Sequence, residues 1–265
     1  MVITVRTVLE FLARVTTHCG TAVDRDTAYS RSYRGIRLAL GGLGVALPLI
    51  FIAAESGLAG DVHLRGSISA YYHSPMQDVF VGGLCVIGFL LATYMSGEPR
   101  SLDFRASLIA GVAVLGVVFF PTSRPELGIG QPPCESDPKV PSCSFVERAL
   151  GESTTAVVHA VCAIVFILGL AVMSLLFAAA ELTPEGAVRR KGRFVLHTVC
   201  ACVIVLAGFW ALTGSDLGPL RPVYLGEVAA VWAFGASWIA AGLNVTAPHR
   251  DAGSPNDRLG AGLAT

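Results

Sequence analysis

The side chains able to do chemistry in this 265-residue chain cluster in a few places. The segment HLRGSISAYYHSPMQDVFVGG brings together Ser67, Ser69, Tyr71, Tyr72, His73 and Asp78. Glu55, Glu152, His159, Asp216, Tyr224 and Glu227 lie near the ends of long apolar runs. An ionisable group inside a stretch apolar enough to enter a bilayer is costly, and its default reading is functional. Glu227 and His159, each about one helical turn into such a stretch, meet that description best.

Three chemistries fit these residue types. Ser69, His73 and Asp78 are the parts of a nucleophilic triad, although neighbouring positions say nothing about geometry and no nucleophile elbow is present. His73 and His159 with Asp78 or Glu227 offer a zinc ligand set, without an H-x-x-x-H or H-E-x-x-H pair to anchor it. The third chemistry is proton donation into an apolar cavity. Glu227 or Asp78, shielded from water, would protonate an alkene or epoxide, and aromatic faces would stabilise the resulting cation. No D-D-x-x-D cluster is present to hold magnesium and a diphosphate.

Each residue also has a plainer role open to it. Asp78 suits the first turn of a helix, where the dipole favours a carboxylate. Glu55 suits the membrane interface, His159 a hydrogen bond to a neighbouring helix, and Glu227 a paired or snorkelling carboxylate. His197 suits the interface beside a basic loop. Tyr71, Tyr72, Phe209, Trp210, Trp232 and Trp238 suit an aromatic belt or helix packing.

The elements that must position these groups are membrane helices. Apolar residues make up 53% of the chain and charged residues 14%, with a mean hydropathy of +0.64. A water-soluble domain carries about 25% charged residues. The formal net charge is zero, so nucleic acid is not an expected partner. Six stretches approach the roughly 20 apolar residues that a spanning helix needs: Leu38–Ala54, Val79–Ser96, Ala106–Thr122, Thr154–Ala180, Phe194–Thr213 and Val223–Val245. Glycines such as Gly41, Gly42, Gly44, Gly82 and Gly83 permit close helix contact.

The expectation is therefore an all-α polytopic bundle of six transmembrane helices in the cell membrane. Placing both termini in the cytoplasm leaves 14 basic residues inside and 5 outside, as the positive-inside rule requires. Residues 1–35 form a cytoplasmic segment in which Val5, Val8, Leu9 and Leu12 share one face of an interfacial helix. Residues 36–246 form the transmembrane domain, with an outer loop over 123–153, and 247–265 a disordered cytoplasmic tail. The start carries no cleavable signal pattern. Cys134 and Cys143 both fall in the outer loop, where an oxidising compartment favours a disulfide. Cys85, Cys162, Cys200 and Cys202 read as small apolar packers within spans.

The stretches SISAYYHSPMQDVFVGGLCVIGFLLATY and VAAVWAFGASWIAAGLN, with the FFPTSRP end of span three, resemble a widespread set of uncharacterised bacterial six-span membrane proteins. That resemblance runs through nearly all the spans; it implies the topology and no activity. The Ser-Ile-Ser segment before span two is similar to the six-span autophagy-modulator type, which implies a non-catalytic or lipid-associated role. Ser69-x-x-x-His73 with Asp78 resembles the CREST membrane hydrolases, which include alkaline ceramidases. Those have seven spans and a late H-x-x-x-H, whereas the sixth span here is the last and carries no histidine. In size, hydropathy and scattered membrane acids the chain is similar to small membrane terpene cyclases, with no motif matched residue by residue.

The functional expectation is a membrane enzyme acting on an apolar isoprenoid or lipid substrate in the outer half of the bundle, without a cofactor or metal. Asp78 and Glu227 would be the acid/base carboxylates, and His73 and His159 would orient or share protons. Ser69, Tyr71, Tyr72, Trp210 and Glu55 would contact substrate. Proton-initiated cyclisation is the first reaction to consider, zinc-dependent hydrolysis of a lipid amide or ester the second. The competing class is a lipid-binding, sensing or transport protein. No internal repeat or pair of broken helices marks a conventional transporter, and Pro48 is a lone interruption.

Overall fold

The structure, a computed structural model, describes residues 22–59, 65–95, 98–124, 132–136, 140, 143–182, 188–214 and 221–243. The expected interfacial helix around Val5–Leu12, Asp216 and the 247–265 tail lie outside the described residues. Those described are helical wherever they are regular: α1 (Ala22–Ala59), a 3-10 helix (Ser69–His73), α2 (Gln77–Thr93), α3 (Leu102–Phe119), α4 (Phe145–Leu150), α5 (Glu152–Ala179), α6 (Lys191–Thr213) and α7 (Pro222–Leu243). The one strand-like pairing among them is an isolated bridge between Leu182 and Val188.

Five helices are long and apolar enough to cross a membrane: α3, α5, α6, α7 and the Tyr29–Ala54 part of α1. The 17-residue α2 is apolar but shorter. Local signals set the boundaries. Ser101 caps α3 by accepting the Phe104 N–H at 3.1 Å, and Pro121 follows the last turn, where it cannot continue the helix. Ser144 and Glu147 form a reciprocal capping box that starts α4. Gly151 then ends α4 and begins α5 at φ +84°, a left-handed conformation that only glycine adopts without strain.

The six longer helices form a ring. In order around it, α1 packs on α7, α7 on α6, α6 on α5, α5 on α3 and α3 on α2, with a thinner seam from α2 back to α1. The α1–α7 contact relies on glycine at both sides. A Cβ on Gly41 would stand 2.8 Å from the Gly235 carbonyl, and a Cβ on Gly235 would stand 2.8 Å from the Gly41 carbonyl. The backbones thus touch, as small-residue membrane interfaces do. Large rings such as Trp238, Tyr94, Phe51 and Phe234 fill the interior. The outer face is apolar too: Val157 is 61% and Leu206 65% exposed. Apolar exteriors of this extent suit contact with lipid.

Candidate functional site

Two ends of the ring carry polar side chains. One end holds the 3-10 helix, the C-terminus of α3 and the N-termini of α5 and α7. There a cavity of about 480 Å³ lies between α5, α6 and α7. Its walls are almost wholly apolar, including Ala163, Ile167, Ile204, Gly208 and Ala230, while Ser67, Ser69, Thr122, His159 and Glu227 supply the polar groups. Leu168 on α5 and Phe209 and Leu212 on α6 also line it, and all three are exposed on the outside of the ring. The cavity therefore opens sideways between α5 and α6.

Glu227 is placed by hydrogen bonds to Ile68 and Ser69 and by the tight packing of its neighbour Gly226. Its Oε2 accepts the Ile68 backbone N–H at 2.5 Å, fastening the segment before the 3-10 helix to the first turns of α7. Beside it, a Cβ on Gly226 would stand 2.5 Å from the Ala207 carbonyl, so α7 and α6 close tightly under the carboxylate. His159, buried on α5, uses Nδ1 towards the carbonyls of Phe120 at 2.7 Å and Val117 at 3.2 Å. Carbonyls only accept, so Nδ1 carries the proton, and Nε2 is left as the ring's basic nitrogen. The need for that donor arises in α3. Pro121 stops the helix, and the last carbonyls lack intrahelical partners.

Of the residues singled out from sequence, the cavity gathers Glu227, His159, Ser67, Ser69 and Phe209. His73 stands next to it: its Nε2 donates to the Thr122 carbonyl at 2.7 Å. Asp78 does not join them. It is exposed in the first turn of α2, the position that favours a carboxylate on helix-dipole grounds. Tyr71 is buried and stacked on Phe51, with ring centroids 4.8 Å apart, and so belongs to the core. Tyr72 is half-buried, edge-on to His73 and Phe80. Burial, and then the Glu147 carboxylate, push its phenol up from its ordinary value, so it remains a protonated donor. Trp210 lies against Gly214 at the end of α6 rather than in the cavity wall, and the aromatic ring that lines the cavity is Phe209. Glu55 falls within α1, but its side chain is outside the described residues.

These placements bear on the three chemistries. Ser69 lines the cavity, His73 Nε2 is engaged by the Thr122 carbonyl and Asp78 is exposed outside it, so a Ser-His-Asp relay draws no support from these placements. His159 and Glu227 give the cavity two ligating side chains where zinc takes three or four from protein. Among the described residues the one close group of three potential ligands is Cys134, Glu147 and Glu152. Cys134 is disulfide-bonded to Cys143, so its sulfur is not a thiolate ligand. Proton transfer between an acid, a base and an apolar guest needs only the groups that are there.

Arg124 and Glu152 hold this end together, a pair that the sequence reading missed. The guanidinium grips the carboxylate through Nε at 3.2 Å and an Nη at 3.1 Å, and donates to the Pro132 carbonyl at 3.1 Å. Both side chains are at most 10% exposed. The pair ties the irregular segment leaving α3 to the N-terminus of α5, the helix that carries His159. Arg124 belongs to FFPTSRP, and a lone arginine beside a long apolar run was the signal available. No protein family, curated protein or solved structure matches this chain.

Proposed function

We propose that this chain is a six-span cell-membrane protein, with both termini in the cytoplasm, that acts by acid/base chemistry on an apolar isoprenoid or lipid substrate. Five long apolar helices support the multi-pass reading. α2 supplies the sixth span: its 17 residues rise about 26 Å against a hydrocarbon core of roughly 30 Å, a shortfall that local thinning absorbs. The orientation rests on the excess of arginine and lysine assigned inside.

One observation carries the chemical reading. Glu227 and His159 line a single cavity whose walls are almost wholly apolar and which opens on the apolar outer face of the ring. A substrate entering between α5 and α6 meets a carboxyl group as proton donor and the His159 Nε2 as proton acceptor. Cyclisation or isomerisation of an alkene started by the Glu227 proton is the reaction class to screen first. The wall offers Phe209 as its aromatic face, fewer rings than a cyclase forming several successive cations would use.

A second reading, lipid binding without turnover, draws support from the hydrogen bonds that both groups make to backbone, Glu227 to Ile68 and His159 to Phe120. Purified protein in lipid nanodiscs, offered polyisoprenoids and lipid amides or esters, separates the two. The enzyme reading expects a product whose formation is lost in Glu227→Gln and His159→Asn while both variants stay folded. Retention of the same compounds unchanged would favour the binding reading.

A further inference from the structure

The opposite end of the ring carries a second site of a different kind. A smaller cavity of about 130 Å³ lies where α1, α5, α6 and α7 converge, lined by Arg37, Arg189, Arg190, Arg193, Glu181 and His197 among others. Four arginines and one glutamate thus line the same cavity. Glu181 is buried and takes Arg193 at 3.4 Å and Arg189 at 3.9 Å. Arg37 is held separately. Its Nε donates to the Tyr94 hydroxyl at 2.9 Å and an Nη to the Ala241 carbonyl at 3.2 Å, with the Phe177 ring 5.0 Å from its charge centre. Among the described residues no carboxylate meets Arg37, and the cavity keeps a surplus of positive charge.

The placement of these cations opposes local helix electrostatics. Arg190 is the N-cap of α6 and makes no side-chain capping bond, and the first turn contains Lys191 and Arg193. The N-terminus of a helix carries partial positive charge and unpaired N–H groups, so basic residues there are unfavourable and an anion is favoured. The positive-inside rule accounts for basic residues on this side of the membrane, and their convergence on one cavity at a helix N-terminus is the local departure that calls for an anion. Arginine forks and helix N–H groups together match the oxygen geometry of a phosphate.

We propose that this cavity binds a phosphate group, carried either by an anionic phospholipid headgroup or by a free phosphate anion. The fixed Arg37 guanidinium forms its floor, and Arg189, Arg190 and Arg193 close over the phosphate oxygens. Its size admits the phosphate and leaves the remainder of a lipid along the outside of the ring. This proposal is independent of the Glu227 site.

The test uses the full chain in nanodiscs of phosphatidylcholine alone or with added phosphatidylglycerol, reading lipid retention by native mass spectrometry and thermal unfolding. Inorganic phosphate is titrated against the phosphatidylcholine sample as a separate arm. The double variant Arg189→Gln/Arg190→Gln is compared with Arg31→Gln/Arg34→Gln, which removes equal charge from exposed α1 positions outside the cavity. The expected result is that phosphatidylglycerol is retained by the parent and by the α1 variant, and about tenfold less by the cavity variant. Stabilisation by inorganic phosphate that the cavity variant loses identifies a free anion as the source. Equal losses in the two double variants, or no response to either probe, would overturn the proposal and leave the arginines as general anchors at the membrane surface.

Discussion

The Glu227 carboxylate and the Ile68 backbone N–H, 159 positions apart in the chain, meet at 2.5 Å. This bond makes one residue both a brace and a candidate acid. The two roles are separable, because a glutamine at 227 retains an oxygen for the Ile68 N–H and lacks the titrating proton. Glu227→Gln is expected to unfold near the parent temperature and to lose turnover by about 10²–10⁴-fold, the usual worth of general acid catalysis. Glu227→Ala removes the acceptor as well and is expected to be less stable by about 1–3 kcal/mol. A thermal scan beside an activity assay distinguishes them.

Asp78 is the contrasting case. Its carboxylate is exposed in the first turn of α2 and does not line the cavity. Asp78→Asn is expected to leave turnover intact and to change stability by no more than about 0.5 kcal/mol. Loss of activity in this variant, with binding retained, would return Asp78 to the mechanism.

What the sequence made legible follows from the kind of physics involved. Apolar run length locates helices because each span must meet bilayer thickness by itself, and a helix overlaps each expected stretch. Glu227 and His159 stood out because a polar group within an apolar run is locally visible. Asp78 looked equivalent on composition, yet its place depends on which way the α2 N-terminus faces, a tertiary fact. Tyr71 and Trp210 were indistinguishable from cavity-lining aromatics for the same reason: only the tertiary arrangement sends one to the core and the other towards Gly214 at the end of α6. The Arg124–Glu152 pair joins residues 28 apart across a loop, beyond any local pattern.

That pair supports a stability prediction. Removing one partner of a buried ion pair leaves the other charge uncompensated, at about 3–5 kcal/mol. Glu152→Ala is expected to lower the unfolding temperature sharply, whereas Arg124→Met with Glu152→Leu recovers much of the loss. Differential scanning fluorimetry on the two variants and the parent measures this directly. A single variant as stable as the parent would show the pair to be marginal.

The Cys134–Cys143 bridge closes a short loop, with a sequence separation of 9. Closing so small a loop stabilises by about 2–3 kcal/mol on chain-entropy grounds. Cys134→Ser/Cys143→Ser is expected to lower the unfolding temperature, and a reductant is expected to shift the parent to the same value without affecting the variant. Mass spectrometry of the alkylated peptide, with and without reduction, verifies the pairing.

Glycine spacing between α1 and α7 yields a packing prediction. Gly41→Val would drive its side chain into the Gly235 carbonyl and Ile239. The expected loss is about 1–3 kcal/mol, and Gly42→Val, which meets open space, is the matched control. Equal unfolding temperatures for the two variants would contradict the close α1–α7 contact.

The central claim is that an apolar guest occupies the cavity shared by Glu227 and His159. Photo-crosslinking with a diazirine-bearing polyisoprenoid, mapped by peptide mass spectrometry, tests it most directly. The expected labels concentrate on the facing walls of α5, α6 and α7, around Ala163, Leu168, Phe209 and Ala230, and are displaced by unlabelled polyisoprenoid. Labels spread evenly over the outer faces of all six long helices, unaffected by competitor, would contradict it.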